Sequence, residues 1–84
     1  MVTILYFASL RESLGCAREQ LALPGGTATV SSLVEQLRNR NNPWTEAFAP
    51  GKRWRVAVNQ QMADPATPLK PGDEVAFFPP VTGG

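Results

Sequence analysis

Val30, Leu33, Val34 and Leu37 fall at positions i, i+3, i+4 and i+7 of a single stretch, the spacing of an amphipathic helix with one apolar stripe. The pattern predicts a helix over Thr29 to Arg40. Thr29 is its expected N-cap, Asn41-Asn42-Pro43 ends it, and Glu35, Gln36, Arg38 and Arg40 are expected to face water. Such a stripe needs a partner face. A chain of 84 residues makes one domain, because so short a sequence cannot divide its apolar surface between two cores. No other stretch is as clearly helical, so the partner face must come from strands.

The strands are legible from alternation. Val2, Ile4 and Tyr6 share one face of the first, with Thr3, Leu5 and Phe7 on the other, and two apolar faces suggest a central strand. Ser9 to Gly15 fits one or two helical turns, with Ser9 as cap and Gly15 as closing residue. Arg18 to Leu23 reads as a second strand, and Pro24-Gly25-Gly26 as a turn. Trp44 to Lys52 reads as irregular, with a short turn around Glu46-Ala47-Phe48. Arg53 to Asn59 is a third strand, with Trp54, Val56 and Val58 on one face. Asn59-Gln60 is a turn and Gln61 to Ala63 a very short strand. Asp64 to Leu69 is a loop, and Lys70-Pro71-Gly72-Asp73 turns tightly into a last strand, Glu74 to Phe78. The fold class is therefore α+β: a mixed sheet of four to five strands packed on one main helix.

Composition narrows the function. A hydrophobic fraction of 43% suits one packed core. There is no histidine and only one cysteine, Cys16, so no metal site is expected. A lone cysteine fits a reducing cytosol, and Cys16 reads as a small packing residue. Eight basic and seven acidic residues are scattered to a net +1, which argues against a nucleic-acid partner. The N-terminus reads as a strand rather than a leader, and no apolar run nears the ~20 residues needed to cross a bilayer. A cytoplasmic location is expected. Lys52, Arg53 and Arg55 form a small basic cluster, a solvated face that can also steer an acidic partner. Trp44 and Trp54 read as core or helix-cover residues.

The last residues, Phe77 to Gly84, read FFPPVTGG. Val75 and Phe77 should pack under the helix, leaving Phe78 on the far face as a half-buried aromatic or as a partner-docking anchor. Pro79-Pro80 lacks two N–H donors, which stops the strand and favours an extended chain. The six residues after Phe78 can reach at most ~20 Å. Gly83 and Gly84 carry no Cβ and suit a narrow channel. The expected division is a domain over 1–78 and an extended, flexible tail over 79–84 with a carboxylate at its tip. A carboxylate becomes reactive once ATP makes it an acyl-adenylate. A sulfur donor then displaces AMP to leave a thiocarboxylate, or an amine is acylated to give a conjugate. Neither route needs a nucleophile–base pair in this chain, and none is evident.

Leu5-Tyr6-Phe7-Ala8 with Leu10-Arg11-Glu12, Val56-Ala57-Val58-Asn59, and above all Gly72-Asp73-Glu74-Val75-Ala76-Phe77-Phe78-Pro79-Pro80-Val81-Thr82-Gly83-Gly84 resemble the ubiquitin-like β-grasp sulfur carriers, in particular the small subunits of molybdopterin synthase. The resemblance spans the chain and implies a β-grasp fold. It implies that a ubiquitin-activating-type adenylyltransferase adenylates Gly84 with ATP, and that a sulfur donor protein converts it to a thiocarboxylate. The tail would then enter a pocket of a large subunit and give sulfur to cyclic pyranopterin monophosphate, two rounds building the dithiolene of molybdopterin. Two small subunits would flank a large-subunit dimer. Gly84 would bear the sulfur and Gly83 would thread. Phe78, Pro79, Pro80, Val81 and Thr82 would line the partner groove, with Phe7 adding to the docking face. No bound cofactor is implied. Such a chain counts as an enzyme only together with its large subunit. Two alternatives share the activation step: a thiamin-pathway sulfur carrier, whose tails lack Phe-Phe-Pro-Pro, and a ubiquitin-like protein modifier joined to lysines through Gly84. A third is a plain interaction domain with an incidental tail.

Overall fold

The computed structural model describes residues 1–23 and 28–80. The turn expected at Pro24-Gly25-Gly26 lies outside them, as do Val81, Thr82, Gly83 and Gly84. Along the chain run β1 (Val2–Tyr6), α1 (Ala8–Leu14), β2 (Arg18–Leu21), β3 (Ala28–Thr29), α2 (Val30–Arg38), α3 (Trp44–Ala47), β4 (Arg55–Val58), β5 (Gln61–Met62), β6 (Pro68–Leu69) and β7 (Glu74–Phe78). Five strands form one mixed sheet in the order β2-β1-β7-β4-β5. Its central pair, β1 and β7, is parallel, and its other pairs are antiparallel. This is the expected sheet on one main helix.

The stripe of α2 is buried at all four positions, Val30, Leu33, Val34 and Leu37. It meets Val2, Ile4 and Tyr6 of β1, Val56 of β4, and Val75 and Phe77 of β7 in one core. Thr29 caps α2 as expected. Its Oγ1 accepts from the Ser32 N–H at 3.2 Å while Ser32 Oγ accepts from the Thr29 N–H at 2.8 Å, a reciprocal capping box that satisfies two N-terminal donors. An aromatic group fills one end of the core: Phe77 stacks on Tyr6 at 6.2 Å and takes Phe48 and Trp54 edge-on at 5.2 and 5.4 Å. Offset and edge-on ring pairs add about 0.5–1.5 kcal/mol beyond area burial.

Several sequence expectations move. The third strand begins at Arg55, not Arg53, because Arg55 lies opposite Phe78 and the next residue, Pro79, has no N–H to extend the ladder. It ends at Val58, because Asn59 and Gln60 take φ of 51° and 69°, the left-handed pair of a two-residue hairpin turn. The second strand stops at Leu21, although Leu21 and Leu23 both pack on the core. Ser9 does not cap α1. Phe7 holds the N-cap position in extended conformation, with its N–H donated to Phe77 O at 3.1 Å, so the helix starts at Ala8 and Gly15 closes it with φ 64°. The loop of 64–69 contains β6, which pairs with β3 in a second, two-stranded sheet. Trp44–Ala47 is helical, and Phe48 behind it is only 1% exposed. Arg40 is only partly exposed. The helix ends at Arg38, and Arg40 turns back to pair with Glu19.

The register of β7 rests on Asp73, the buried charged residue of the described chain at 5% exposure. Its Oδ1 accepts from Asn59 Nδ2 at 2.9 Å and its Oδ2 from the Lys70 N–H at 2.9 Å. Asn59 Oδ1 in turn accepts from the Glu74 N–H at 3.0 Å. Burial alone would raise the Asp73 carboxyl, but these hydrogen bonds and the nearby Lys70 charge hold it below the ordinary carboxylate value. Its stabilising contribution is therefore present above the unfolded-state value of about 3.9 and lost as pH falls through the lower folded value. Asp73→Ala should lower unfolding stability by about 1–3 kcal/mol and flatten the acid limb of the stability–pH curve in urea titrations. An unchanged acid limb would contradict this role.

Candidate functional site

Side chains alternate across a strand, so the register that buries Val75 and Phe77 turns Ala76 and Phe78 to the opposite side. Pairing carries this through the sheet. Leu5 lies beside Ala76, Ala76 beside Ala57, and Ala57 beside Met62. One level further along, Phe78 lies beside Arg55, and Phe7 follows Tyr6, the partner of Phe77. Leu5, Phe7, Ala57, Met62, Ala76 and Phe78 thus form an apolar patch on the face away from α2. Phe7 is 45% exposed and Met62 60%, and Phe78 is half-buried. Arg18, paired with Leu5, and Arg55 put cations on the same face.

Pro79 and Pro80 leave β7 at the edge of this patch, both half-buried. Two grooves flank them. One of about 730 Å³ is lined by Pro80 together with Val34, Phe48 and Trp54. One of about 390 Å³ is lined by Pro79 together with Leu10 and Pro43. The structure therefore brings together Phe7, Phe78, Pro79 and Pro80. The remaining expected site residues, Val81, Thr82, Gly83 and Gly84, lie outside the described residues.

The strongest polar cluster lies among the core elements. The Tyr6 hydroxyl donates to Glu19 Oε2 at 2.8 Å, Arg40 grips both Glu19 oxygens at 3.0 and 2.8 Å, and Trp44 Nε1 donates to Tyr6 at 3.4 Å. The Arg40 guanidinium sits 4.9 Å from the Trp44 ring centroid. Burial, reinforced by Glu19, pushes the Tyr6 phenol well above its ordinary value. Burial opposes ionisation of Glu19, yet its hydrogen bonds from Arg40 and Tyr6 prevail and hold it low. A locked-neutral phenol and a committed carboxylate cannot shuttle protons near neutrality, so this cluster ties β1, β2, α3 and the segment after α2 together. Among the described residues no group of three or more acidic, Cys or His side chains could hold a metal, and no helix is long and apolar enough to cross a membrane. What the described chain presents is a partly exposed apolar patch beside Pro79 and Pro80.

Sequence reading found Phe7 and Phe78 but missed Leu5, Ala57, Met62 and Ala76. Leu5 and Ala76 were readable from alternation in β1 and β7. Met62 needed the pairing of β5 with β4, which strand length gave no means to place.

Residues 4–84 match the ThiS family. A molybdopterin synthase sulfur carrier subunit of Escherichia coli (strain K12) is 40% identical over 84 residues, covering 100% of both chains. The crystal structure of SAMP1 from Haloferax volcanii superposes with a TM-score of 0.79, at 29% identity, over 99% of this chain and 98% of that one. The fold is also similar to a chain in the complex of subunits 1 and 2 of the molybdopterin-converting factor from Helicobacter pylori 26695. There the TM-score is 0.67 at 23% identity, covering 99% of this chain and 97% of that one.

The two faces of the sheet should respond differently to truncation. Phe77→Ala should cost about 3–5 kcal/mol, whereas Phe7→Ser with Met62→Ser should together change thermal stability by about 1 kcal/mol or less. Equal losses in thermal unfolding would contradict the assignment of faces.

Proposed function

The chain belongs to the ThiS family, with the ubiquitin-like β-grasp architecture, and from this we propose that it is the sulfur carrier subunit of molybdopterin synthase, acting in molybdenum cofactor biosynthesis. The observation that carries the reading is its full-length identity of 40% to a molybdopterin synthase sulfur carrier subunit. The geometry supports it: an apolar patch borders Pro79 and Pro80, the last described residues. Activity then resides in the complex, with the large subunit supplying the active site.

In this reading the Gly84 carboxylate attacks the α-phosphate of ATP on an adenylyltransferase of the ubiquitin-activating type, and pyrophosphate leaves. A persulfide on a sulfur donor protein attacks the acyl carbon and AMP leaves. A thiol then attacks the donor-side sulfur of the resulting acyl disulfide, forming a disulfide with the donor and releasing Gly84 as a thiocarboxylate. Residues 79–84 enter the large subunit as an extended tail, with Gly83 filling the narrowest passage. Pro79 and Pro80 lower the entropy lost on ordering. Phe78, Pro79, Pro80, Val81 and Thr82 contact the groove, and Phe7 joins Phe78 on the docking face. The thiocarboxylate sulfur passes to cyclic pyranopterin monophosphate, and a second carrier completes the dithiolene. ATP is consumed by the activating enzyme and no cofactor stays on this chain. The location is cytoplasmic.

The similarity to SAMP1, a small archaeal modifier protein of Haloferax volcanii, favours a second reading, conjugation to lysines through Gly84. A thiamin-pathway carrier would use the same activation step. Intact-mass spectrometry from cells separates carriage from conjugation. A sulfur-for-oxygen gain on the free chain is expected, and a ladder of larger conjugates would favour the modifier.

Deleting Gly84 should abolish molybdopterin formation while leaving thermal stability within error, and equal activity would refute the role of Gly84. Phe78→Ala should weaken binding to the large subunit by about 1–2 kcal/mol or more, read by calorimetry, and an unchanged Kd would remove it from the docking face.

A further inference from the structure

Lys52 and Arg53 line both grooves that flank Pro79 and Pro80, and Arg55 lines the larger of the two. All three are exposed. Arg55 also stands beside Phe78 on the open face. Three cations thus surround the point where the chain leaves the sheet, in a protein whose net charge is only +1. Folding does not explain them. Among the described residues the ion pairs join Arg38 to Glu35 and Arg40 to Glu19, and none involves Lys52, Arg53 or Arg55. The carboxylates of the larger groove already have partners: Glu35 pairs with Arg38 of the same groove at 3.6 Å, and Asp64 accepts from the Ala66 N–H at 2.8 Å. Glu46 lines the smaller groove. Like charges held close in sequence repel one another and lower stability, so their placement calls for an outside counter-charge.

We propose that Lys52, Arg53 and Arg55 form a cationic collar that steers the tail into the large subunit by pairing with an acidic rim around the mouth of its channel. The proposal rests on the reading of the chain as the small subunit of molybdopterin synthase. Its physical basis is continuity: the collar adjoins the apolar patch at Phe78, so a partner seated on the patch brings its surface over the collar. Charge at the edge of an interface acts mainly on the rate of encounter, while the apolar centre sets the lifetime of the complex. The cations sit beside Pro79 and Pro80, and three residues separate Pro80 from Gly84. The collar therefore orients the approaching tail and takes no part at the reacting carbonyl.

The test is stopped-flow association of the full chain with the purified large subunit. Salt is raised from 0.1 M to 1 M, which shortens the screening length from about 10 Å to about 3 Å. The wild type should associate about tenfold or more slowly at high salt. The triple variant Lys52→Gln, Arg53→Gln, Arg55→Gln should associate about tenfold more slowly than the wild type at low salt, with little salt dependence and a nearly unchanged dissociation rate. Replacement of the three by Glu should slow low-salt association further and make added salt accelerate it. Circular dichroism verifies that both variants fold, as exposed positions allow. A neutral variant with the wild-type salt slope overturns the collar while leaving the carrier reading intact. A salt-sensitive dimer of the wild type in sedimentation, lost in the neutral variant, assigns the collar to a second copy and overturns the proposal. Failure of the wild type to bind the large subunit at all overturns the carrier reading and the collar with it.

Discussion

The register of β7 is the constraint on which the rest depends. A slip of one residue would put Val75 and Phe77 outside and Ala76 and Phe78 under α2, because side chains repeat every second position. The register is held from two sides. On one, the parallel pairing with β1 sets Val75 beside Ile4 and Phe77 beside Tyr6. On the other, the turn before the strand is pinned by Asp73, by Asn59, and by the Gly72 N–H on Met1 O at 2.8 Å. Gly72 takes φ 92° in that turn, a conformation that a side chain would strain. One buried carboxylate thereby helps decide which aromatic fills the core and which lies half-buried on the opposite face. It also decides where Pro79 emerges.

The polar groups divide into two sets with different work. Tyr6, Glu19, Arg40 and Trp44 hold one end of the sheet to the segments that follow α2, and their hydrogen bonds leave them no freedom for chemistry. Among the described residues, the side chains of Lys52, Arg53 and Arg55 make no ion pair. The residues that stabilise this end of the fold are thus distinct from those that line the grooves beside Pro79 and Pro80.

Much of this was legible in the sequence because local periodicity and tertiary burial agree. The stripe of α2, the inward faces of β1 and β7, the cap at Thr29 and the turn at Asn59-Gln60 all follow from short-range rules. What was not legible depends on distant partners. Arg40 reads as solvated because it carries charge, yet Glu19, 21 residues away, draws it in. Phe48 sits in an aperiodic stretch, so only the aromatic group of Tyr6, Trp54 and Phe77 marks it as core. β3 and β6 span two residues each, too few for alternation to register. The shared outer face of Phe7 and Phe78 was visible from alternation, but the breadth of the apolar patch came from cross-strand pairs that no local pattern encodes. The role proposed for Gly84 rests on the chemistry of a slim terminal carboxylate and on resemblance, and Gly84 lies outside the described residues.

The central claim is that sulfur carried on the last glycine, presented by an otherwise inert fold, is what molybdopterin synthesis consumes. Reconstitution tests it most directly. The protein is prepared with a thiocarboxylate at Gly84, mixed with purified large subunit and cyclic pyranopterin monophosphate, and assayed for molybdopterin beside the ordinary carboxylate form. The expected result is product from the thiocarboxylate form alone, with carboxylate regenerated on the carrier as product accumulates. Product in equal amounts from both forms, or sulfur that stays on the carrier while the precursor remains unchanged, would contradict the account.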